Sequence, residues 1–406
     1  MSAIRFCVHA LGLYLLFCGS FLAAQEGELH RYLVEQLDEV DWSKLEPRDQ
    51  IQNYLGVSKA LMTNGKEELA QVVQGDAISK IESEDDPQFD QMVFEHAIET
   101  NQLELAESFA RKLNREYITD RLTAAKIRSG DVNAYDIDDY QATNFHTAVD
   151  VGKALGEIGE YEKMEELVSS MQFHKLAGDR PATAQPVVYN EIALRVHKAG
   201  DSKRAKLYID KAMEVGGKHF YSDFAIEIDR RVIYGELKKD FKQFAQRAAN
   251  YPDHMGRELV QNYARALREN GIYNEAKQVV EYLDKPKDKE SCLSLLATEQ
   301  ANRGDFDEAR KTIETLGSKP HQFHVRVMLA VALYKSKHFE EAEKLKVELE
   351  SEFQNDERPR YSFAYLLGAT NDLQRVKKYL SKCHRDTEKT NYVRNVFKGI
   401  SGGTFH

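Results

Sequence analysis

Along most of this chain, apolar residues recur at spacings of three and four, and a glycine or asparagine breaks the pattern at near-regular intervals. That alternation predicts helix, tight turn, helix, many times over. The clearest stretch runs from Glu290 to Glu350, where one pattern is written twice. The first copy reads Leu296-Ala297, Gly304-Asp305-Phe306-Asp307-Glu308-Ala309, Ile313 and Leu316. The second reads Leu329-Ala330, Lys337-His338-Phe339-Glu340-Glu341-Ala342, Lys346 and Leu349. Ala309 and Ala342 are 33 positions apart, as are Phe306 and Phe339. A large residue followed by a small one fills a groove and lets a partner helix approach, so each small residue marks a helix–helix contact.

The same register continues through Gly65 with Ala70, Asn101 with Ala106, Gly159 with Met164, Gly200 with Ala205, Gly271 with Ala276, and Asn371 with Val376. At Gly235 the small position holds Asp240, which predicts a shifted second helix. Between about 115 and 143 one unit is irregular: Glu116–Ser129 reads as a first helix, but Tyr135–Tyr140 is a polar, poorly patterned partner. The longest irregular connection is Phe173–Gln185, a surface loop unless it carries function. Glu82–Asp86 reads as an acidic linker that caps the helix starting near Pro87.

This pattern resembles the tetratricopeptide repeat. The resemblance implies an all-α fold, a right-handed α-solenoid of about nine or ten helical hairpins. The array would span residues 50–385, with a lead helix in 25–49, a capping helix at 386–400 and a tail at 401–406. Leu29, Leu33, Leu37 and Val40 share one face of the lead helix, and Tyr392, Val393, Val396, Phe397 and Ile400 one face of the cap. Such arrays present surfaces to partners and carry no built-in chemistry.

Residues 1–24 read as an export signal: Arg5, then the apolar run Ala10–Phe17, then small residues ending at Ala23-Ala24. The alternative is retention as a membrane anchor. The expected location is the periplasm or the cell envelope. Of four cysteines, Cys7 and Cys18 would leave with the signal, and Cys292 and Cys383 read as buried free thiols. Net charge is −10, which argues against a nucleic-acid partner. The charge is uneven. Residues 357–406 hold ten Lys/Arg against four Asp/Glu, whereas the rest of the mature chain holds 45 against 62. The basic end is therefore a candidate docking region, and membrane contact is expected only there or through a retained leader.

No catalytic, cofactor or metal motif stands out. Gly216-Gly217-Lys218-His219 lacks the spacing of a phosphate cradle and reads as a helix stop. His321 and His324 have no nearby acidic or cysteine ligand in sequence, and Asp136, Asp138 and Asp139 lack a calcium-loop frame. The resemblance places the contact surface on the first helix of each hairpin. By position that face holds Asn190, Leu194, His197, Gln261, Arg265, Arg268, Ser294, Thr298 and Asn302. Farther on it holds Val327, Val331, Tyr334, Arg358, Tyr361 and Tyr365. Arginine and aromatic residues favour interfaces, so the expected partner-binding residues are Arg265, Arg268, Tyr334, Arg358, Tyr361, Tyr365, Lys377 and Lys378. The positions matching the lysine of the family's carboxylate clamp are not basic, as Gln261 and Ser294 illustrate. The expected function is a non-catalytic scaffold for a protein or peptide partner. The alternatives are an envelope enzyme handling wall glycans on a helical superstructure, or a membrane-anchored assembly factor.

Overall fold

The structure, a computed structural model, describes residues 28–401 apart from 30, 34, 37–38, 41–44, 64, 85, 135–144, 171–180, 217–219, 252, 354–359 and 384. Every regular element among the described residues is a helix. In chain order, α1 (Pro47–Thr63) and α2 (Glu67–Glu84) flank Gly65, and α3 (Pro87–Glu99) and α4 (Leu103–Leu113) flank Asn101. Next, α5 (Glu116–Arg128) stops before Gly130, and α6 (Phe145–Ile158) and α7 (Tyr161–Ser170) flank Gly159. Gly200 lies between α8 (Pro181–Lys198) and α9 (Ser202–Gly216), and Gly235 between α10 (Phe220–Tyr234) and α11 (Phe241–Ala249). Gly271 joins α12 (Asp253–Glu269) to α13 (Tyr273–Val280), and Gly304 joins α14 (Pro286–Asn302) to α15 (Phe306–Glu314). Lys337 lies between α16 (Lys319–Lys335) and α17 (Phe339–Phe353), Asn371 between α18 (Arg360–Ala369) and α19 (Leu373–Leu380), and α20 (Asp386–Ile400) follows.

One backbone device makes the turns. Gly65, Asn101, Gly130, Gly159, Gly200, Gly235, Gly271, Gly304, Lys337 and Asn371 all have positive φ. At Gly304 the glycine N–H donates to the Ala301 carbonyl at 3.0 Å, and the next N–H, of Asp305, to Gln300 at 2.9 Å. The same two bonds recur at the other nine positions. They form a Schellman closure, which satisfies the last carbonyls of a helix and requires a left-handed residue. Hence the sequence places glycine or asparagine there, with Lys337 accepting the strain. The small residue five positions on is buried in each regular unit: Ala70, Ala106, Met164, Ala205, Ala276, Ala309, Ala342 and Val376 are at most 3% exposed.

Local expectations fare unevenly. At Gly235 the second helix does shift: α11 begins six residues after the glycine, where α15 begins two after Gly304. Phe244 fills the space between Phe224 and Tyr263, with ring centroids 4.4 and 4.7 Å away. Asp86 caps α3 by accepting the Gln88 N–H at 2.8 Å, but Glu82 and Glu84 belong to α2, so the acidic linker is shorter than expected. The connection after α7 is also shorter, because 181–185 is the start of α8; residues 173–180 lie outside the described set. Tyr135–Tyr140 lies outside it too. Gly216 ends α9, as a stop should. Cys292 and Cys383 are free but half-buried.

The chain forms two compact units: Met1–Phe89 with Phe323–His406, and Asp90–Gln322. In the first, α20 packs against both α18 and α1. The α18–α20 crossing is backbone to backbone. A Cβ on Gly368 would stand 2.0 Å from the Val396 carbonyl oxygen, and one on Gly399 would stand 2.0 Å from that of Tyr365. Leu29 and Leu33 are buried on a helical segment, and Val40, also buried, lies past its end in a bend; Leu37 is outside the described residues. Their segment reaches α20, where Glu39 accepts from Lys389 at 2.8 Å. In the second unit, α6, α8, α10, α12 and α14 each pack on the next. Two apolar cores run beneath them, one around Leu155, Ile192 and Ile209, the other around Phe244, Tyr263 and Val279.

Candidate functional site

In the central unit, α12 buries Leu259, Val260, Tyr263 and Leu267. That leaves Gln261, Arg265 and Arg268, at i, i+4 and i+7, along a different stripe. On α14 the burial of Leu296, Ala297 and Ala301 leaves Ser291, Leu295 and Thr298 on the corresponding stripe. Between these stripes lies a cavity of about 240 Å³, walled by Gln261, Arg265 and Arg268 on one side and Ser291, Cys292 and Leu295 on the other. Val280 and Leu296 contribute apolar wall.

The charges here are unequally satisfied. The Arg268 side chain is 14% exposed, and its one side-chain hydrogen bond among the described residues goes to Glu269 at 3.3 Å. Arg265 is exposed and has no hydrogen bond or ion pair with a described side chain; it acts on Asp229 of α10 through space. Asp229 accepts from Asn190 Nδ2 of α8 at 2.7 Å. Burial pushes the Asp229 carboxyl up to about 6, against the pull of the Asn190 hydrogen bond and of Arg265. Asn190 Oδ1 is buried without a partner among the described residues. Burial also pushes the Cys292 thiol up, against the pull of Arg268.

Arg265 and Arg268 are thus brought together on one cavity wall, while their intended neighbours behave differently. Ser294 is buried and gives its hydroxyl to the Glu290 carbonyl at 2.7 Å, and Thr298 gives its own to Ser294 at 2.9 Å, so neither offers a donor. The C-terminal half of the expected face is not an open surface. Val327, Val331 and Tyr365 are 0%, 3% and 2% exposed, because the middle stretches of α16 and α18 are enclosed by their neighbours. Tyr365 therefore drops out as a contact residue. Tyr334 and Tyr361 are half-buried, Tyr334 edge-on to Phe339 with centroids 5.2 Å apart. Arg358 lies outside the described residues.

The basic end is occupied by its own chain. Lys378 and Tyr379 donate to Glu350 at 2.7 and 2.8 Å, and Arg375 donates to Glu350 and Glu343, each at 2.8 Å. Burial opposes ionisation of Glu350, but those hydrogen bonds outweigh it and hold the carboxyl below its usual range. Lys377 sits 3.8 Å from Glu28 and over the Tyr32 ring at 5.1 Å. Lys377 and Lys378 thus hold the fold's own acids, whereas Lys382, exposed over the Tyr379 ring, has no ion pair among the described residues.

The sequence reading missed Asp229 and Cys292. Asp229 was within reach, because it precedes Gly235 by six positions as Arg265 precedes Gly271. The degraded unit around Asp240 hid that equivalence. No cluster of three metal-ligating side chains occurs among the described residues, although His321 Nδ1 lies 3.1 Å from Glu290, an acid that sequence distance concealed. Among the described residues no helix is long and apolar enough to cross a membrane. No protein-family model matches the chain, and no curated protein is significantly similar to it.

Proposed function

We propose that this chain is an exported, non-catalytic scaffold whose tetratricopeptide-like hairpins stack as a right-handed α-solenoid and hold a protein or peptide partner. The observation that carries the reading is the wall of α12, where two arginines line a cavity and few of their donors are taken by described residues. Hot spots at interfaces favour arginine set among apolar neighbours in partly desolvated pockets. Leu295, 53% exposed beside the cavity, supplies such a neighbour. The partner face is accordingly that of α12 and α14, not the basic C-terminal end. Export rests on the leader-like residues 1–24, and the location is the periplasm or cell envelope.

Affinity capture from cell-envelope extract, with the chain from Gln25 onward as bait, tests this reading. A partner should be retained in stoichiometric amount and lost when Leu295→Arg crowds the cavity mouth. It should be kept when Val72→Arg alters a still more exposed apolar site on α2. Retention unaffected by Leu295→Arg, or no specific capture, overturns it.

A further inference from the structure

The cavity between α12 and α14 is too small for a cofactor. Its volume of about 240 Å³ falls below the roughly 300–1,000 Å³ of ordinary small-molecule pockets. It suits one or two amino-acid side chains. Its polar wall is cationic and incompletely paired. Arg265 and Arg268 stand at i and i+3 on α12, where like charges face each other and repel. A guanidinium carries five N–H donors, yet among the described residues Arg268, mostly enclosed, spends one, on Glu269, which is itself 54% exposed. An anion between the two arginines would relieve the repulsion and accept bidentate hydrogen bonds in fork geometry.

The neighbouring acids set the charge of that anion. Arg265 already acts on Asp229, Arg268 is bonded to Glu269, and Asp288 acts on the Cys292 end of the wall. These carboxylates already offset the charge of the two arginines, so the second charge of a phosphate would meet more repulsion than the single charge of a carboxylate. We propose that the cavity receives the carboxylate of an aspartate or glutamate side chain from an extended partner segment, with an adjacent apolar residue seated against Leu295. This rests on the scaffold reading above and names the chemistry its partner presents.

Cys292 lies in the cavity wall and reports its occupancy. The experiment follows alkylation of Cys292 by iodoacetamide at mildly alkaline pH, quantified by peptide mass mapping, with Cys383 as the reference thiol. Three capped tripeptides serve as probes: acetyl-Leu-Glu-Leu-amide, its glutamine counterpart and its phosphoserine counterpart. The glutamyl peptide should slow Cys292 alkylation about threefold when present at about twice its dissociation constant, leaving Cys383 unchanged. The glutamine peptide should give little protection, and Arg265→Gln and Arg268→Gln should each abolish the glutamyl effect. Arg265 bonds to no described side chain, so its variant keeps the test valid even if Arg268→Gln perturbs packing. Equal protection by the glutamyl and glutamine peptides, no protection by either, or stronger protection by the phosphoserine peptide overturns the proposal. If Leu295→Arg abolishes partner capture while the glutamyl peptide fails to protect, the carboxylate assignment falls and the scaffold reading stands. If capture fails but protection is seen, the reverse holds.

Discussion

Asp229 and Arg265 occupy the same repeat position one unit apart, and in the fold the guanidinium pulls on the carboxyl. Burial wins, and the carboxyl is pushed up to about 6 from its ordinary 3.8. A raised acid pKa means that the fold favours the protonated form. The associated stability is full below the unfolded value and lost as pH rises through about 6. A shift of that size corresponds to roughly 2–3 kcal/mol at neutral pH. Asp229→Asn, which can still accept from Asn190, should therefore stabilise the chain at pH 7.5 by about 1–3 kcal/mol. The gain should fade as pH is lowered below the unfolded value. Urea melts at the two pH values check this, and a loss at pH 7.5 or an equal gain at both would contradict it. Residue identity alone could not supply this result, because the sequence shows an aspartate but not the burial around it.

At the scale of elements, the turns and small packing positions were legible because each answers a local demand. A left-handed residue must end the first helix, and a small residue must follow on the second. Gly304 and Ala309 satisfy those demands within six residues, so the pattern is visible in a short window. The α18–α20 crossing was not, because Gly368 and Gly399 meet backbones from other parts of the sequence. The closed C-terminal face did leave a trace: the runs from Val325 to Leu333, broken by Arg326, and from Phe363 to Leu367 are largely apolar, which marks helix segments enclosed by their neighbours. Two glycine substitutions separate these situations. Gly368→Ala should destabilise by at least about 2 kcal/mol, since backbone atoms must part to admit the methyl group. Gly75→Ala on α2, where an added Cβ meets nothing within 4 Å, should stabilise by about 0.5–1 kcal/mol. Thermal or urea melts of the pair read the difference, and a Gly368→Ala variant as stable as the parent chain would contradict the α18–α20 packing.

At the scale of the whole molecule, the charge asymmetry suggested a basic docking end, and the structure assigns those charges internal work. Arg375, Lys377, Lys378 and Lys389 face Glu343, Glu350, Glu28 and Glu39 from elsewhere in the same compact unit. Net charge by segment could not show this, because the pairing acids lie far away in sequence. Arg265 on the α12 wall of the second unit, by comparison, has no ion pair among the described residues, and the proposed function rests on that contrast. Hydrogen-exchange mass spectrometry on the chain with and without its captured envelope partner measures it directly. The account predicts that bound partner slows exchange in α12 and α14 and leaves α18 and α19 unchanged. Protection confined to α18 and α19, with α12 and α14 unaltered, would contradict it.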